Sequence, residues 1–523
     1  MMKKILQLTD KIGIWLLGLI AVLLNLSLAF DNVVWGDEAY SQMAIINTNL
    51  YGVYERVYYW DSHPPLYYYY LKFIADVFGY TTPVYHIASL VPFIVGIILA
   101  CTFIKKQFGT LSAIVFIIIS SFSESCVEYN LEIRMYSLVF VFVLLSICFA
   151  TLIIKKESKI SYYVLMTLFS VLAAYTHYYG LALCGLVVFF TGLFDYISAR
   201  KSATARITIA KWIISTLMYI VLYIPWLFVL YKQTQSELND SWMTEPAPFN
   251  QVLTFILGGG RLKPILLPFI VIMTIVIIIV ETKAISFKAT EIKGEVTICF
   301  HKPSFQNLSS DFKLMLLMYS CIAGLLAFGY VVSYAFHPIL TFRYTYVCVP
   351  ISLFILMICI KKLYIYIFPG TDGKLIVADG KLPTSKYSKL PNRILCTILA
   401  LVTLLTLVLG LFDFKYFRSV TKTQDFQTKR VLEIVGTPNP DAILVSNGVS
   451  HLAWSVLPYY YPNKVTMSNP DTLMEDPSEF WAFIGYAYDD EVLDAMTDKG
   501  YNTEAYMNMW LGKYAINLYH FYK

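Results

Sequence analysis

Two short stretches put chemistry where a greasy chain has least reason to keep it. The first is Trp35-Gly36-Asp37-Glu38-Ala39-Tyr40, and the second, about twenty residues on, is Asp61-Ser62-His63-Pro64-Pro65-Leu66-Tyr67. A carboxylate within hydrogen-bond reach of a hydroxyl can act as its general base. Histidine and arginine can hold a phosphate, arginine by matching two of its oxygens at once. The cations available are His63, Arg134 in Glu132-Ile133-Arg134, His177 in Thr176-His177-Tyr178, and His337 with Arg343. Each also has an ordinary reading. Asp37-Glu38 alone reads as a solvated loop, His63-Pro64-Pro65 as a helix start, Arg134 or Arg343 as a snorkelling cation, and His177 as a packing residue. What sets them apart is that all fall at ends of apolar runs on the same side of the chain.

Those runs must position the polar residues. The chain has 523 residues, 58% of them hydrophobic and 14% charged, against roughly a quarter charged in a soluble domain. This is the composition of a polytopic α-helical membrane protein. Runs near the ~20 residues needed to span a bilayer fall at 12–30, 84–104, 111–123, 134–154, 161–177, 180–197, 212–231, 264–281, 314–336, 344–368 and 394–412. They predict about eleven transmembrane helices. The first run lacks a small-residue cleavage site and reads as a span rather than a signal peptide. A net charge of +5, without a basic stripe, gives no sign of nucleic acid as a partner. Nine scattered cysteines form no metal-binding or disulfide spacing.

Lysine and arginine alternate in abundance from loop to loop. One set of loops holds Lys105, Lys106, Lys155, Lys159, Arg200, Lys201, Lys283 and Lys361 onward; the other holds few cations and most of the loop acids. The positive-inside rule then puts the N-terminus in the cytoplasm and the acid- and histidine-bearing loops outside. A first outer loop is expected over 31–83. The division expected is a transmembrane domain over 1–414 and a small α/β extracytoplasmic domain over 415–523, with strands at Ala442–Ser446 and Phe480–Ile484 and helices near Ser450–Leu457 and from Asp489 to Lys499. The protein is expected in the cell membrane, with the bilayer as partner.

On these motifs the chain resembles a known family. Gly36-Asp37-Glu38-Ala39-Tyr40, His63-Pro64-Pro65-Leu66-Tyr67, Arg134-Met135-Tyr136, Thr176-His177-Tyr178-Tyr179-Gly180 and Arg343-Tyr344 followed by Pro350 are similar to the bacterial branch of the GT-C membrane glycosyltransferases. These are family-39-like enzymes related to protein O-mannosyltransferases and to the aminoarabinose transferase of lipid A. The resemblance covers roughly residues 10–415. It implies the GT-C fold and transfer of a sugar, with inversion, from a polyprenyl-phosphate-linked donor to a hydroxyl acceptor on the extracytoplasmic face, for modification of the cell envelope. The acceptor, whether lipid, glycopolymer or protein, stays open.

By position, Asp37 is similar to the family's catalytic base, with Glu38 positioning the acceptor or supporting Asp37. His63, Arg134 and Arg343 are the candidates for the donor phosphate. His63 stands where many relatives of the lipid A enzyme have lysine, leaving a pH-sensitive cation there. Tyr40, Asp61, His177, Tyr178 and Tyr344 are candidate substrate-binding residues. No cofactor and no metal are expected, although Asp37, Glu38 and Asp61 could ligate a divalent ion. The competing reading is a lipid-linked sugar flippase, which would place its polar residues near the midplane and show internal repeats.

Overall fold

A computed structural model describes residues 2–31, 33–155, 158–240, 243–282, 285–289, 296–300, 304–368, 390–437, 442–447, 452–462, 464–467, 477–485 and 489–523. For 2–11, 237–240, 285–289, 296–300, 390–393, 447 and 489–491 the backbone alone is described. The cations Lys3, Lys4, Lys11 and Lys156 and most of the loop at 369–393 lie outside the described side chains.

The apolar runs become helices almost one for one. Among the described residues, eight helices are long and apolar enough to cross a membrane. Two shorter apolar helices, Ile12–Leu26 and Ile160–Ala174, occupy the first and fifth expected runs. The short third run is one arm of a broken pair, Thr110–Phe122 and Glu124–Leu131, bent by 64° at Ser123. The bend follows from an extended Ser123 (φ −72°, ψ 151°), and the Asn130 side chain ties the second arm back by donating to the Ser120 carbonyl at 3.0 Å or less (2.8 Å).

Burial ranks the spans. Tyr136–Ile154 is 78% buried over its apolar window and Phe342–Ile367 is 83%, whereas Ala205–Ser236 and Ile394–Val435 are 28% and 22% buried. The first two are therefore the centre of the bundle, and the last two present apolar side chains outward. Arg134 and Arg343 sit at the N-terminal ends of the two central helices. A helix N-terminus carries partial positive charge and disfavours a cation, so both arginines need anions or acceptors nearby.

The first expected loop, 31–83, is largely helical: Gly36–Ile45, Leu50–Trp60 and Leu66–Phe78. Arg56 caps the first of these, its guanidinium donating to the carbonyls of Met43 (2.5 Å) and Ile46 (3.0 Å). The Leu66 amide donates to the Tyr175 carbonyl at 3.0 Å, which pins the His63-Pro64-Pro65 corner beside the Thr176-His177 turn.

The chain ends in a five-stranded sheet. With β1 (Ile285–Ala289) and β2 (Val296–Phe300) forming a separate antiparallel hairpin, the sheet comprises β3 (Ile443–Asn447), β4 (Thr466–Met467), β5 (Glu479–Ile484), β6 (Asn502–Leu511) and β7 (Tyr514–Tyr522), in the order β4-β3-β5-β7-β6. β3 runs parallel to β4 and β5, while β7 is antiparallel to β5 and β6. Side chains alternate across a strand, and here each face has its own core. Leu444, Trp481, Phe483 and Leu518 face one cluster; Val445, Phe480, Ala482 and Tyr519 face the other, under the helix Asp489–Asp498. The expected boundary at 415 falls within a continuous helix, Leu390–Val435. At 46 residues it is roughly 69 Å long at 1.5 Å per residue, more than twice a ~30 Å hydrocarbon core, so it carries the chain from the bundle into the sheet domain.

Candidate active site

Sequence alone separates Asp37 from Arg343 by most of the chain; the fold makes them an ion pair. Arg343 Nη1 lies 3.1 Å from Asp37 Oδ2, and each side chain keeps 19% of its surface exposed. The pair is thus partly shielded from water, which screens its attraction less than at an open surface, and still open enough to be reached. The Arg343 guanidinium also lies 5.4 Å from the Trp35 ring and 5.6 Å from the Tyr344 ring, within the range of cation–π attraction.

From Arg343 a run of contacts leads through the other candidates. Tyr344 stands edge-on to His177 with ring centroids 5.2 Å apart, and His177 lies 5.5 Å from His63. His63 Nδ1 is 2.9 Å from Asp61 Oδ1 and 3.3 Å from Arg134 Nη2. One nitrogen can serve only one of these partners, and the shorter contact, to a carboxylate, places its proton toward Asp61. Burial opposes the Asp61 charge, but His63 and Arg134 outweigh it and hold this carboxyl below its ordinary range. Arg134, 3% exposed, also donates to the Tyr68 hydroxyl (2.9 Å) and Ser41 Oγ (3.3 Å). Its Nε is buried with no hydrogen-bond partner.

His177 is fixed in one tautomer. Its Nδ1 accepts the Tyr179 amide at 3.0 Å and caps the helix Tyr178–Ala199, so the neutral ring carries its proton on Nε2. Burial pushes its pKa well below the usual histidine value, and the positive charges of His63, Arg134 and Arg343 push the same way. The Nε2 donor is buried and has no hydrogen-bond partner among the described residues. Tyr40 packs edge-on against Tyr68 at 6.4 Å, and its hydroxyl is likewise buried without a partner. Buried polar groups are normally satisfied. Among the described residues, the unmet Arg134 Nε, His177 Nε2 and Tyr40 hydroxyl offer donors to an anionic ligand's oxygens, while the unmet Asp61 Oδ2 beside them is an acceptor.

Two further candidates have their polar atoms engaged elsewhere than in the open cluster. Glu38 is 1% exposed and its oxygens serve the backbone: Oε2 accepts the Trp35 amide (3.2 Å) and Oε1 the Ile133 amide (3.0 Å). It therefore ties the start of the Asp37 helix to the turn bearing Arg134, supporting Asp37 rather than touching substrate. Tyr178 turns away from the cluster; its hydroxyl accepts from Trp226 Nε1 (3.1 Å) and donates to Gln233. His337 makes no contact with the cluster among the described residues.

The site also draws on Trp35 and Glu132, which flank the candidates in sequence, and on Lys513, which no motif flagged. Trp35 Nε1 donates to Glu132 Oε1 at 3.1 Å. Lys513, from the far end of the chain, lies 3.2 Å from Glu128 and 3.8 Å from Glu38. Burial raises the Glu132 pKa to about 8, with Glu38 and Glu128 pushing the same way and Lys513 opposing. A cavity of ≈ 530 Å³ opens on this side, lined by Trp35, Glu128, Glu132, Phe255, Arg343 and Lys513 among others. Arg343 and Trp35 thus divide the side holding Arg134, His63 and the neutral His177 from an acidic one. Among the described residues no three of His, Cys, Asp and Glu converge as metal ligands.

No family model and no curated protein matches the sequence. Solved structures do match. The chain is similar to ArnT from Cupriavidus metallidurans in the apo state, with 11% identity, 97% of this chain and 98% of that chain covered, and a TM-score of 0.53. It is also similar to the same organism's ArnT bound to undecaprenyl phosphate, at 12% identity, 97% coverage of both chains and a TM-score of 0.55. The chain has the GT-C fold, as the motifs implied. The shared fold extends over nearly the whole length, beyond the 10–415 that the motifs reached.

Proposed function

We propose that this membrane protein is an inverting glycosyltransferase that moves a sugar from a polyprenyl-phosphate donor to a hydroxyl acceptor on the extracytoplasmic face of the cell membrane. The observation that carries the reading is the Asp37–Arg343 pair standing beside the buried Arg134, His63 and His177. The fold shared with an ArnT that binds undecaprenyl phosphate supports a lipid-phosphate donor.

The residues divide the work by charge. Arg343 and Arg134 hold the donor phosphate, and the unmet His177 Nε2–H donates to one of its oxygens. Asp37 takes the proton of the acceptor hydroxyl as that oxygen attacks the anomeric carbon. The bond to the phosphate oxygen breaks on the opposite face, which inverts the carbon. Negative charge then grows on the leaving phosphate, where fixed cations stabilise it most. The ≈ 530 Å³ cavity has room for the acceptor group beside Arg343. The arginines supply the positive charge such a transfer requires, so turnover is expected to survive chelator treatment.

Two measurements test this. Mass spectrometry of surface glycans in cells with and without the protein should show one missing hexose or pentose. Purified protein in liposomes should release free polyprenyl phosphate from a polyprenyl-phosphate sugar when acceptor extract is added. Movement of the intact donor across the liposome without release of phosphate would mean a flippase instead.

A further inference from the structure

Asp37 is carried by a short helix that packs on two cores: Tyr40, Ala44 and Ile45 lie against the membrane bundle, whereas the apolar residues nearest Asp37 do not. Val34 and Ala39, both fully buried, belong to the core of the C-terminal sheet, with Val431, Leu452, Leu511 and Ile516. The contact is closest at the β6–β7 turn, Gly512-Lys513. Gly512 has φ +59°, and a Cβ there would lie 1.9 Å from the Val34 carbonyl oxygen, so only glycine allows the turn to sit against the Asp37 segment. The Gly512 amide donates to Thr428 Oγ1 at 3.0 Å, which holds the turn on the long helix.

The next two residues, Lys513 and Tyr514, then meet the site. The Gly36 amide donates to the Tyr514 hydroxyl at 3.0 Å. This is an N-terminal amide of the Asp37 helix, which has no partner within the helix. Lys513 Nζ reaches Glu128 at 3.2 Å and Glu38 at 3.8 Å and lines the cavity beside Arg343. Glu38, Glu128 and Glu132 all approach this ammonium, and Arg343 with the Trp35 indole N–H closes the other side.

We infer that the tip of the β6–β7 hairpin is a working part of the transfer site: Tyr514 positions the start of the helix that presents Asp37, and Lys513 neutralises the acidic wall of the cavity. The C-terminal domain is then required for turnover rather than for donor capture, because the cationic side of the site is built from the bundle alone. This rests on the transferase reading for its effect on rate, but not for its effect on the Asp37 helix.

The test has two arms on the full-length protein. Hydrogen–deuterium exchange in detergent reads the Gly36 amide directly. Tyr514→Phe should speed exchange in the 34–40 segment at least tenfold while β5 and β7 amides stay protected; an unchanged rate at Gly36 would overturn the positioning role. In the second arm, Lys513→Met should lower kcat at least tenfold with undecaprenyl phosphate affinity unchanged, Lys513→Arg should restore most of the rate, and the exposed Lys499→Met should behave as the natural protein. Full kcat in Lys513→Met would overturn the role of Lys513. Should the natural protein itself transfer no sugar, the transferase reading fails, and the exchange arm still decides whether the hairpin holds the Asp37 helix.

Discussion

Arg343 Nη1 and Asp37 Oδ2 stand 3.1 Å apart across 306 residues of sequence. The pair sits where the first helical loop meets the most buried span of the bundle. A base engaged by an arginine is restrained until a phosphate competes for that arginine. Asp37→Asn should therefore leave undecaprenyl phosphate binding as tight as in the natural protein or tighter, because Arg343 loses its internal anion. Arg343→Gln should weaken binding by about 10- to 100-fold, the weight of one hydrogen bond to a charged group. Binding isotherms of the purified variants check both directions.

Arg134 answers to stability as well as to binding. It is buried among Tyr68, Ser41 and the Asp61–His63 pair. Arg134→Gln leaves the Asp61 carboxylate with one cation fewer in a buried site, and breaking such a network costs about 3–5 kcal/mol. The expected result is a lower unfolding temperature in detergent together with weaker phosphate binding. Tyr178→Phe, which removes only the hydroxyl bonded to Trp226 and Gln233, should leave phosphate affinity unchanged.

Two buried groups give pH dependences of opposite sign. Glu132 is raised to about 8, so the folded state holds a proton that the unfolded chain releases in the ordinary carboxylate range. Its contribution is full at acid pH and is lost as pH rises through about 8. His177 is depressed by burial. Its contribution is full above the ordinary histidine value and is lost as pH falls below it, because the unfolded chain then takes up a proton that the folded chain refuses. Below about pH 6.5, the ordinary histidine value, the two contributions oppose each other, so the melting temperature should change little there and fall as pH rises from about 6.5 to about 8. Glu132→Gln should remove that fall and expose a loss of stability toward acid, whereas His177→Asn should let stability rise continuously toward acid.

The membrane architecture was legible because a span needs little more than length and hydropathy, and the runs at 84–104, 134–154 and 344–368 became the helices that position the site. Asp37, His63, Arg134, His177 and Arg343 could be singled out because each is a costly group at the end of such a run. Their partners could not be read. The ion pair between Asp37 and Arg343, and the burial of Glu38 under two backbone amides, depend on contacts between distant segments that no local spacing encodes. Tyr178 misled because one residue's step along a helix start turns a side chain about 100°, from the cluster containing His177 to Trp226 and Gln233. The hairpin tip was the least legible part. β6 is an edge strand with mostly exposed side chains and lacks the clean alternation that marks a half-buried strand. Nothing local announces that Lys513 reaches Glu128.

In the proposed reaction Asp37 is the base and the arginine–histidine cluster holds the phosphate. Its most direct test is one pair of measurements on Asp37→Asn in liposomes: turnover of a polyprenyl-phosphate sugar and affinity for undecaprenyl phosphate. Turnover should fall by about 10²- to 10⁴-fold with affinity retained. Turnover near that of the natural protein would contradict it.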